Sequence, residues 1–484
     1  MKIYKSNPYN VLVPIYERNE FLLYNTLTGG LEILNHKEGV FIAEIEMLKS
    51  FSMSMFPDSL YIFEYLLEGE YLLEDTEDLI SVFESHTEKN QFKNASTIHL
   101  TIGTTITCNM GCSYCFEFIK PNNTLKDKKV MKQTSEYIKQ ILTTSKKTIE
   151  TLSVTWYGGE PLINVKAIIM MSELFINLSK EFNINYKANI ITNGIYLTEE
   201  NIKHLIDGKV TNIQVTIDGA REIHDKKRPL KQKHGENYFK ILRNISKIPL
   251  NSDIKVDVRL NVDKEVASSI DLFLDDFYDY GIWPQKFKQV HFDTAWLRSY
   301  EEIELTNSEE EKRMYVEEFF EFKQEFRLKL IDRFNNWASK NNKKGAKLKW
   351  DLPTYQSTCA TWASPISLVV DPNGNIHKCW ETIHDDEKAS TTVFDKYDPS
   401  TFNYYSSFNR YNHNEVCRNC KFLPVCDKIS CSYEAINSDV PKCTEWKYKT
   451  HDYLKKQYLR MMDSPESISR PDSVDAINTG HSNK

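Results

Sequence analysis

The chain has 484 residues, with 61 Lys and Arg against 68 Asp and Glu and a formal charge of -7. Length allows about three domains, and the acidic balance argues against a nucleic-acid groove, because phosphate binding wants a basic surface. No apolar run reaches the roughly twenty residues of a membrane span and the first ten residues lack a hydrophobic signal core, so the expected setting is the cytoplasm, with neither membrane nor nucleic acid as partner.

Residues 1–95 hold no cysteine. Strands are predicted over 11–16, 21–26 and 31–35, with Gly29-Gly30 as a turn, followed by helices over 37–51 and 58–67. Such a unit offers a strand edge to an extended peptide, or it is a plain stabilising extension.

From 96 to 300 strand and helix alternate, the mark of a parallel β/α sheet. Ile98, Leu100 and Ile102 form the first strand, and directly after it stand Cys108, Cys112 and Cys115. Three thiolates at C-x3-C-x2-C suit three corners of a cubane iron-sulfur cluster and leave the fourth iron without a protein ligand from this loop. The other reading is a zinc knuckle, which prefers four closed ligands and C-x2-C pairs.

The loop, with Tyr114 before its last cysteine and Phe116 after it, resembles the signature of the radical S-adenosylmethionine (SAM) superfamily. The resemblance implies a 4Fe-4S cluster whose open iron chelates SAM, and cleavage of SAM to a 5′-deoxyadenosyl radical that abstracts hydrogen from substrate. It also colours the N-terminal unit: strands then helices in front of such an enzyme resemble the winged-helix-like peptide-recognition domain of maturases of ribosomally made peptides, which would bind a precursor's leader.

Further strands are predicted over 152–156, 188–192, 213–217, 256–262 and 288–292, joined by helices over 128–144, 166–180, 199–206, 238–248 and 268–280. Six strands with helical crossovers imply a partial (β/α)6 TIM-type barrel with ligands at the strands' carboxyl ends. Asp257, Arg259 and Asn261 share one face of the fifth strand by period two, as Gln214, Thr216 and Asp218 do on the fourth. In an open barrel that face can hold a polar cofactor, whereas in an ordinary sheet it meets water.

Gly158-Gly159-Glu160-Pro161 after the second strand resembles the family's GGEP motif, which binds the methionyl amino group of SAM. The segment Thr216-Ile217-Asp218-Gly219 with Ile223-His224-Asp225 resembles the fourth-strand region of the cluster-rich branch. Asn193, Thr216 and Arg259 are expected by position to hold the carboxylate and ribose, with Asp218 and Asn261 beside them. A charged, aromatic helical connector over 301–349, with a capping box at Ser308 and Glu311, leads to the rest.

Seven cysteines crowd the C-terminal part: Cys359, Cys379, Cys417, Cys420, Cys426, Cys431 and Cys443. Two tight fields without an export signal read as metal sites rather than disulfides. Together the seven resemble the SPASM extension, which implies two auxiliary 4Fe-4S clusters in a domain spanning 350–462; a zinc ribbon is the alternative. By the family's interleaved pattern, Cys417, Cys420, Cys426 and Cys443 hold one cluster and Cys359, Cys379 and Cys431 the other. Seven ligands cannot fill eight sites, so one iron is open or is capped by a group such as His377 or Glu381. Trp380 follows Cys379, where sulfatase maturases carry an aspartate base.

The expected fold class is thus α/β: the partial barrel, an N-terminal winged-helix-like α+β domain and a C-terminal SPASM-type domain, with a disordered tail over 463–484. The expected activity is peptide maturation, with a precursor peptide and an external electron donor such as flavodoxin or ferredoxin as partners. The bond formed is expected to be a thioether. Carbon-carbon crosslinking, epimerisation, formylglycine formation and a non-enzymatic zinc scaffold are the alternatives.

Overall fold

The structure, a computed structural model, describes residues 2–78, 80–85, 96–115, 117, 122–146, 148–232, 237–297, 306–353, 359–406, 410–426, 443–444 and 446–462. The tail expected to be disordered lies outside them. They group into two compact units, one from 1–94, 347–359 and 408–474, the other from 95–346 and 360–407.

In the first unit β1 (Tyr4–Ser6), β2 (Asn10–Ile15), β3 (Glu20–Asn25), β4 (Leu31–Asn35) and β5 (Leu72–Glu74) make two small antiparallel sheets, β2-β3-β4 and β1-β5. The three expected strands are present; β1 and β5 are three residues each, too short to show a period of two. Gly29, at φ 77, turns the chain between β3 and β4, and Asn25 Oδ1 accepts from Leu27 N at 2.9 Å and Thr28 N at 3.1 Å. Helix His36–Glu46 starts with a capping box of Asn35 and Glu38 and stops at Met47, short of the expected 51. The C-terminal helix Trp446–Met462 packs against β2, and Tyr458 Oη donates to Glu20 Oε2 at 2.6 Å. N-terminal strands and the cysteine-bearing C-terminal segment therefore belong to one unit.

The second unit is built on β6 (Thr97–Thr105), β7 (Thr151–Gly158), β8 (Asn185–Thr192), β9 (Val210–Thr216), β10 (Lys255–Val262) and β11 (Val290–Trp296), parallel and adjacent in chain order. Leu152, Val154 and Trp156 on β7 and Val256, Val258, Leu260 and Val262 on β10 are fully buried under the crossover helices, which leaves the alternate residues for the inner face. The α/β partial barrel expected from the sequence is the fold observed. The sheet goes further than six strands: β12 (Leu368–Val370) adds to β6 in parallel, and β13 (Asn375–His377) and β14 (Thr391–Thr392) continue it antiparallel.

Two local differences have plain causes. The last barrel strand runs 290–296 rather than 288–292, because the amides of Gln289 and Val290 bond to Lys286 O in a preceding turn. The capping boxes of the connector stand at Thr306 with Glu309 and at Tyr315 with Glu318, not at Ser308. Among the described residues one helical stretch, Pro161–Glu181, is long and apolar enough to cross a membrane by length and composition. Here it is the crossover after β7, with Ala167, Ile168, Met171 and Phe175 buried in the core.

Candidate functional site

The carboxyl end of β6 runs straight into the three-thiol loop. Gly159 N bonds to Thr105 O at 2.9 Å and Glu160 N to Thr107 O at 3.1 Å, so the end of β7 is stapled to the base of the loop. The close approach needs glycine: a Cβ on Gly159 would sit 2.4 Å from Ile106 O, and Gly158 has φ +115 with Thr105 O at 2.1 Å from a built Cβ. Within the loop, Met110 N donates to Cys108 Sγ at 3.4 Å, and Asn193 Nδ2 donates to Asn109 Oδ1 at 2.7 Å.

Cys108, Cys112 and Cys115 line one cavity of about 280 Å³. Of the residues singled out in the sequence, Gly158, Gly159, Asn193, Thr216, Arg259 and Asn261 share its wall. Gln214 does too, as the period-two face of β9 requires. Arg259 Nη1 is 3.2 Å from Asp293 Oδ2, which fixes its guanidinium on the inner face.

Glu160, Pro161 and Asp218 are placed differently, fully buried behind the wall. Glu160 Oε1 accepts from Leu162 N at 3.0 Å and Thr192 Oγ1 at 2.8 Å, and Oε2 from Asn193 N at 2.7 Å. Burial pushes its pKa above the usual glutamate range, while those donors pull it back. Asp218 Oδ1 accepts from Asn261 N at 3.0 Å and its own amide donates to His224 Nδ1 at 3.1 Å.

Tyr114, Trp380 and Glu381, each noted in the sequence on other grounds, also face the cavity, as do Glu117, Tyr157, Arg228 and Trp296, to which sequence reading assigned no role. Tyr157 and Trp380 stand with ring centroids 5.1 Å apart and form an aromatic wall. Tyr114 hydrogen-bonds Asp218 and accepts from Arg228 Nη1 at 2.6 Å. Burial works against the Arg228 charge, but Cys112, Tyr114 and Asp218 outweigh it, so its pKa stands well above the ordinary arginine value. The signal for Tyr157 was available, since it alternates with Trp156 on β7; for Arg228, just past a short helix, no periodicity points inward.

The second cysteine field is split between the units. In the first, Asn414 Oδ1 accepts from Cys417 N at 3.2 Å, Cys420 N bonds to Cys417 O at 3.1 Å, and Cys426 N to Leu423 O at 3.3 Å. Lys447 Nζ lies 3.4 Å from Cys443 Sγ; burial disfavours its charge, but Cys443 and Cys420 together hold its pKa above the ordinary value. Cys359 is in the first unit and Cys379 in the second, and Cys431 lies outside the described residues. The His377 ring is engaged by Thr382 Oγ1 at 3.3 Å and Asp371 Oδ2 at 3.8 Å.

The residues present fit an iron-sulfur cluster with an anionic ligand beside it. A cubane takes each thiolate on a different iron, and Cys108, Cys112 and Cys115 line one cavity. A backbone N–H points at Cys108 Sγ, as cluster sulfurs require, and the buried Arg228 Nε, with no hydrogen-bond partner, offers a donor to a bound anion. When bound, a reduced cluster and SAM supply a 5′-deoxyadenosyl radical. The residues that would face such a group are the Gly158-Gly159 backbone and the polar side chains of Asn193, Thr216, Arg259 and Asn261, with the Tyr157 and Trp380 rings on another part of the wall.

An open parallel sheet with three thiols at its carboxyl end is an arrangement that could hold a cluster with one iron left open to a cofactor. Residues 102–274 match the Radical SAM superfamily model, so this chain carries a radical SAM domain, whose cofactors are a 4Fe-4S cluster and SAM. A cysteine-type anaerobic sulfatase-maturating enzyme of Clostridium novyi (strain NT) is 24% identical over 338 residues, 66% of this chain and 83% of that protein. Among solved structures, native anSMEcpe with bound AdoMet and Kp18Cys peptide aligns with TM-score 0.53 and 16% identity over 77% of this chain and 100% of that one. Streptococcus suis SuiB bound to precursor peptide SuiA aligns at TM-score 0.47 and 14% identity over 91% of this chain and 98% of that one.

Proposed function

We propose that this chain is a cytoplasmic radical SAM maturase that modifies a ribosomally made peptide, and that the bond it forms is a thioether. The observation that carries the reading is the cavity lined at once by Cys108, Cys112 and Cys115, the Gly158-Gly159 backbone and the polar faces of β9 and β10. Cys108, Cys112 and Cys115 hold the SAM-binding cluster, while Gly158, Gly159, Asn193, Thr216, Arg259 and Asn261 meet SAM. Glu160, Pro161 and Asp218 position that wall from behind.

Cys359, Cys379, Cys417, Cys420, Cys426, Cys431 and Cys443 hold two auxiliary clusters in this proposal. Cys379 immediately precedes Trp380 and Glu381, both on the cavity wall, which favours substrate thiol chemistry beside that cysteine. The curated relative's name and the peptide bound to anSMEcpe support a peptide or protein substrate. Formylglycine formation is the second reading on the same grounds; Trp380, where those maturases carry an aspartate, weighs against it. A leader peptide would add to the β4 edge, since among the described residues β4 pairs only with β3. Electrons would come from a flavodoxin or ferredoxin.

The test is mass spectrometry of a short cysteine-containing precursor, encoded beside the gene, after incubation with the anaerobically reconstituted, reduced protein and SAM. A product lighter by two hydrogens whose thiol no longer alkylates is the expected result. The same loss with the thiol still reactive would mean a carbon-carbon bond, and formylglycine in a sulfatase peptide would move the assignment to sulfatase maturation.

A further inference from the structure

The chain segment after the helix Arg221–Lys227 lies against the cluster loop as a strap. Gly111 N donates to Pro229 O at 2.8 Å and Lys231 N to Asn109 O at 2.9 Å, with an isolated antiparallel bridge between Met110 and Leu230. Asn237 Nδ2 holds the Arg228 carbonyl at 2.5 Å. At the head of the strap, Arg228 is only 8% exposed. Its Nη1 donates to Tyr114 Oη at 2.6 Å and lies 3.8 Å from Asp218 Oδ2. Tyr114 stands between Cys112 and Cys115, and its hydroxyl also hydrogen-bonds Asp218. Asn261 Nδ2 reaches the same hydroxyl at 3.4 Å.

Two consequences follow. The middle of the loop is tied through one phenol to β10 and to the segment just after β9, so the ligand spacing is set by the scaffold and not by the loop alone. A fixed, buried positive charge also shares the cavity with all three thiols; Asp218, already bonded to Asn261 N and Tyr114, lies 3.8 Å from it, while Glu117, Glu381 and a second cation, Arg259, line the same cavity. Adding an electron to a cluster places negative charge there, and a nearby cation favours that state.

We infer that Arg228, through Tyr114 and its fixed charge, is a positioning residue that holds the Cys108–Cys115 cluster and raises its reduction potential. The inference rests on the assignment of that cluster to the three thiols.

The test is a potentiometric titration of the full-length reconstituted protein, followed on the reduced-cluster electron paramagnetic resonance signal that changes when SAM is added, with loss of iron to a chelator in parallel. Arg228→Gln is expected to make the cluster harder to reduce, because the variant removes the cation and leaves Asp218 uncompensated. Arg228→Lys keeps the charge but not the bond to Tyr114; its potential should lie closer to that of the unaltered protein while iron is lost faster. An Arg228→Gln protein with full iron and an unmoved potential overturns the inference. If the Gln variant assembles no cluster, the Lys variant decides, and chelator resistance equal to that of the unaltered protein is the contradicting result. Failure of the underlying assignment looks different: the unaltered protein then shows no SAM-responsive signal at all.

Discussion

The Glu160 carboxylate is fully buried and is the acceptor for two backbone amides and one hydroxyl where β7 ends and β8 turns. Glu160→Ala orphans all three donors, so a loss of about 3 kcal/mol or more is expected. Glu160→Gln, which keeps one acceptor oxygen and sets an NH2 against Asn193 N, should cost less. Urea unfolding of the two variants checks the order. His224 carries a pH dependence. Its buried ring accepts from Asp218 N through Nδ1, which requires the neutral form, and burial holds its pKa well below the usual histidine value. A histidine depressed in the fold takes up a proton in the unfolded chain first. Stability should therefore fall as pH drops below about 6.5, the unfolded value. Thermal midpoints between pH 8 and 5 should slope less in His224→Gln, though not vanish, since burial also lowers the pKa of His99 and His291.

At the scale of elements, the junction of β6 and β7 does the positioning. A valine at Gly159 would drive its Cβ into the carbonyls of Ile106 and Thr107, so Gly159→Val should displace the loop, cost about 1–3 kcal/mol and lower the iron held after reconstitution; iron per chain and the melting midpoint measure both. The sequence made much of this readable. Period two on β10 correctly put Arg259 and Asn261 on the inner face, and the same rule on β7 and β8 reaches Tyr157 and Ile191, which also line the cavity. What it could not reach was set by tertiary contacts. β12 is three residues long and joins β6 from more than 260 positions away, a pairing with no local trace. Arg228 enters the site through a strap fixed by backbone bonds to Asn109 and Gly111, and Glu160 turns its carboxylate toward the end of β8, where Thr192 and Asn193 donate to it, while Leu162 N donates from its own turn.

At the scale of the whole molecule, the N-terminal strands share a unit with segments from the far end of the chain. Tyr24 Oη donates to Pro353 O at 2.8 Å and Thr26 Oγ1 to Lys421 O at 2.5 Å, while Tyr9, Leu27 and Phe83 pack with Tyr411 and Leu423. A fragment of residues 1–94 alone is expected to lack a cooperative melt, because those groups lose their partners; a sharp thermal transition by circular dichroism would contradict that. The central claim is that the thiols at the head of β6 carry the SAM-cleaving cluster. It is tested most directly by measuring 5′-deoxyadenosine from SAM with the reduced, anaerobically reconstituted protein and with the variant in which Cys108, Cys112 and Cys115 are all alanine. The account predicts formation by the first and none by the second. A colourless, zinc-bearing protein, or a triple variant that still makes 5′-deoxyadenosine, would contradict it.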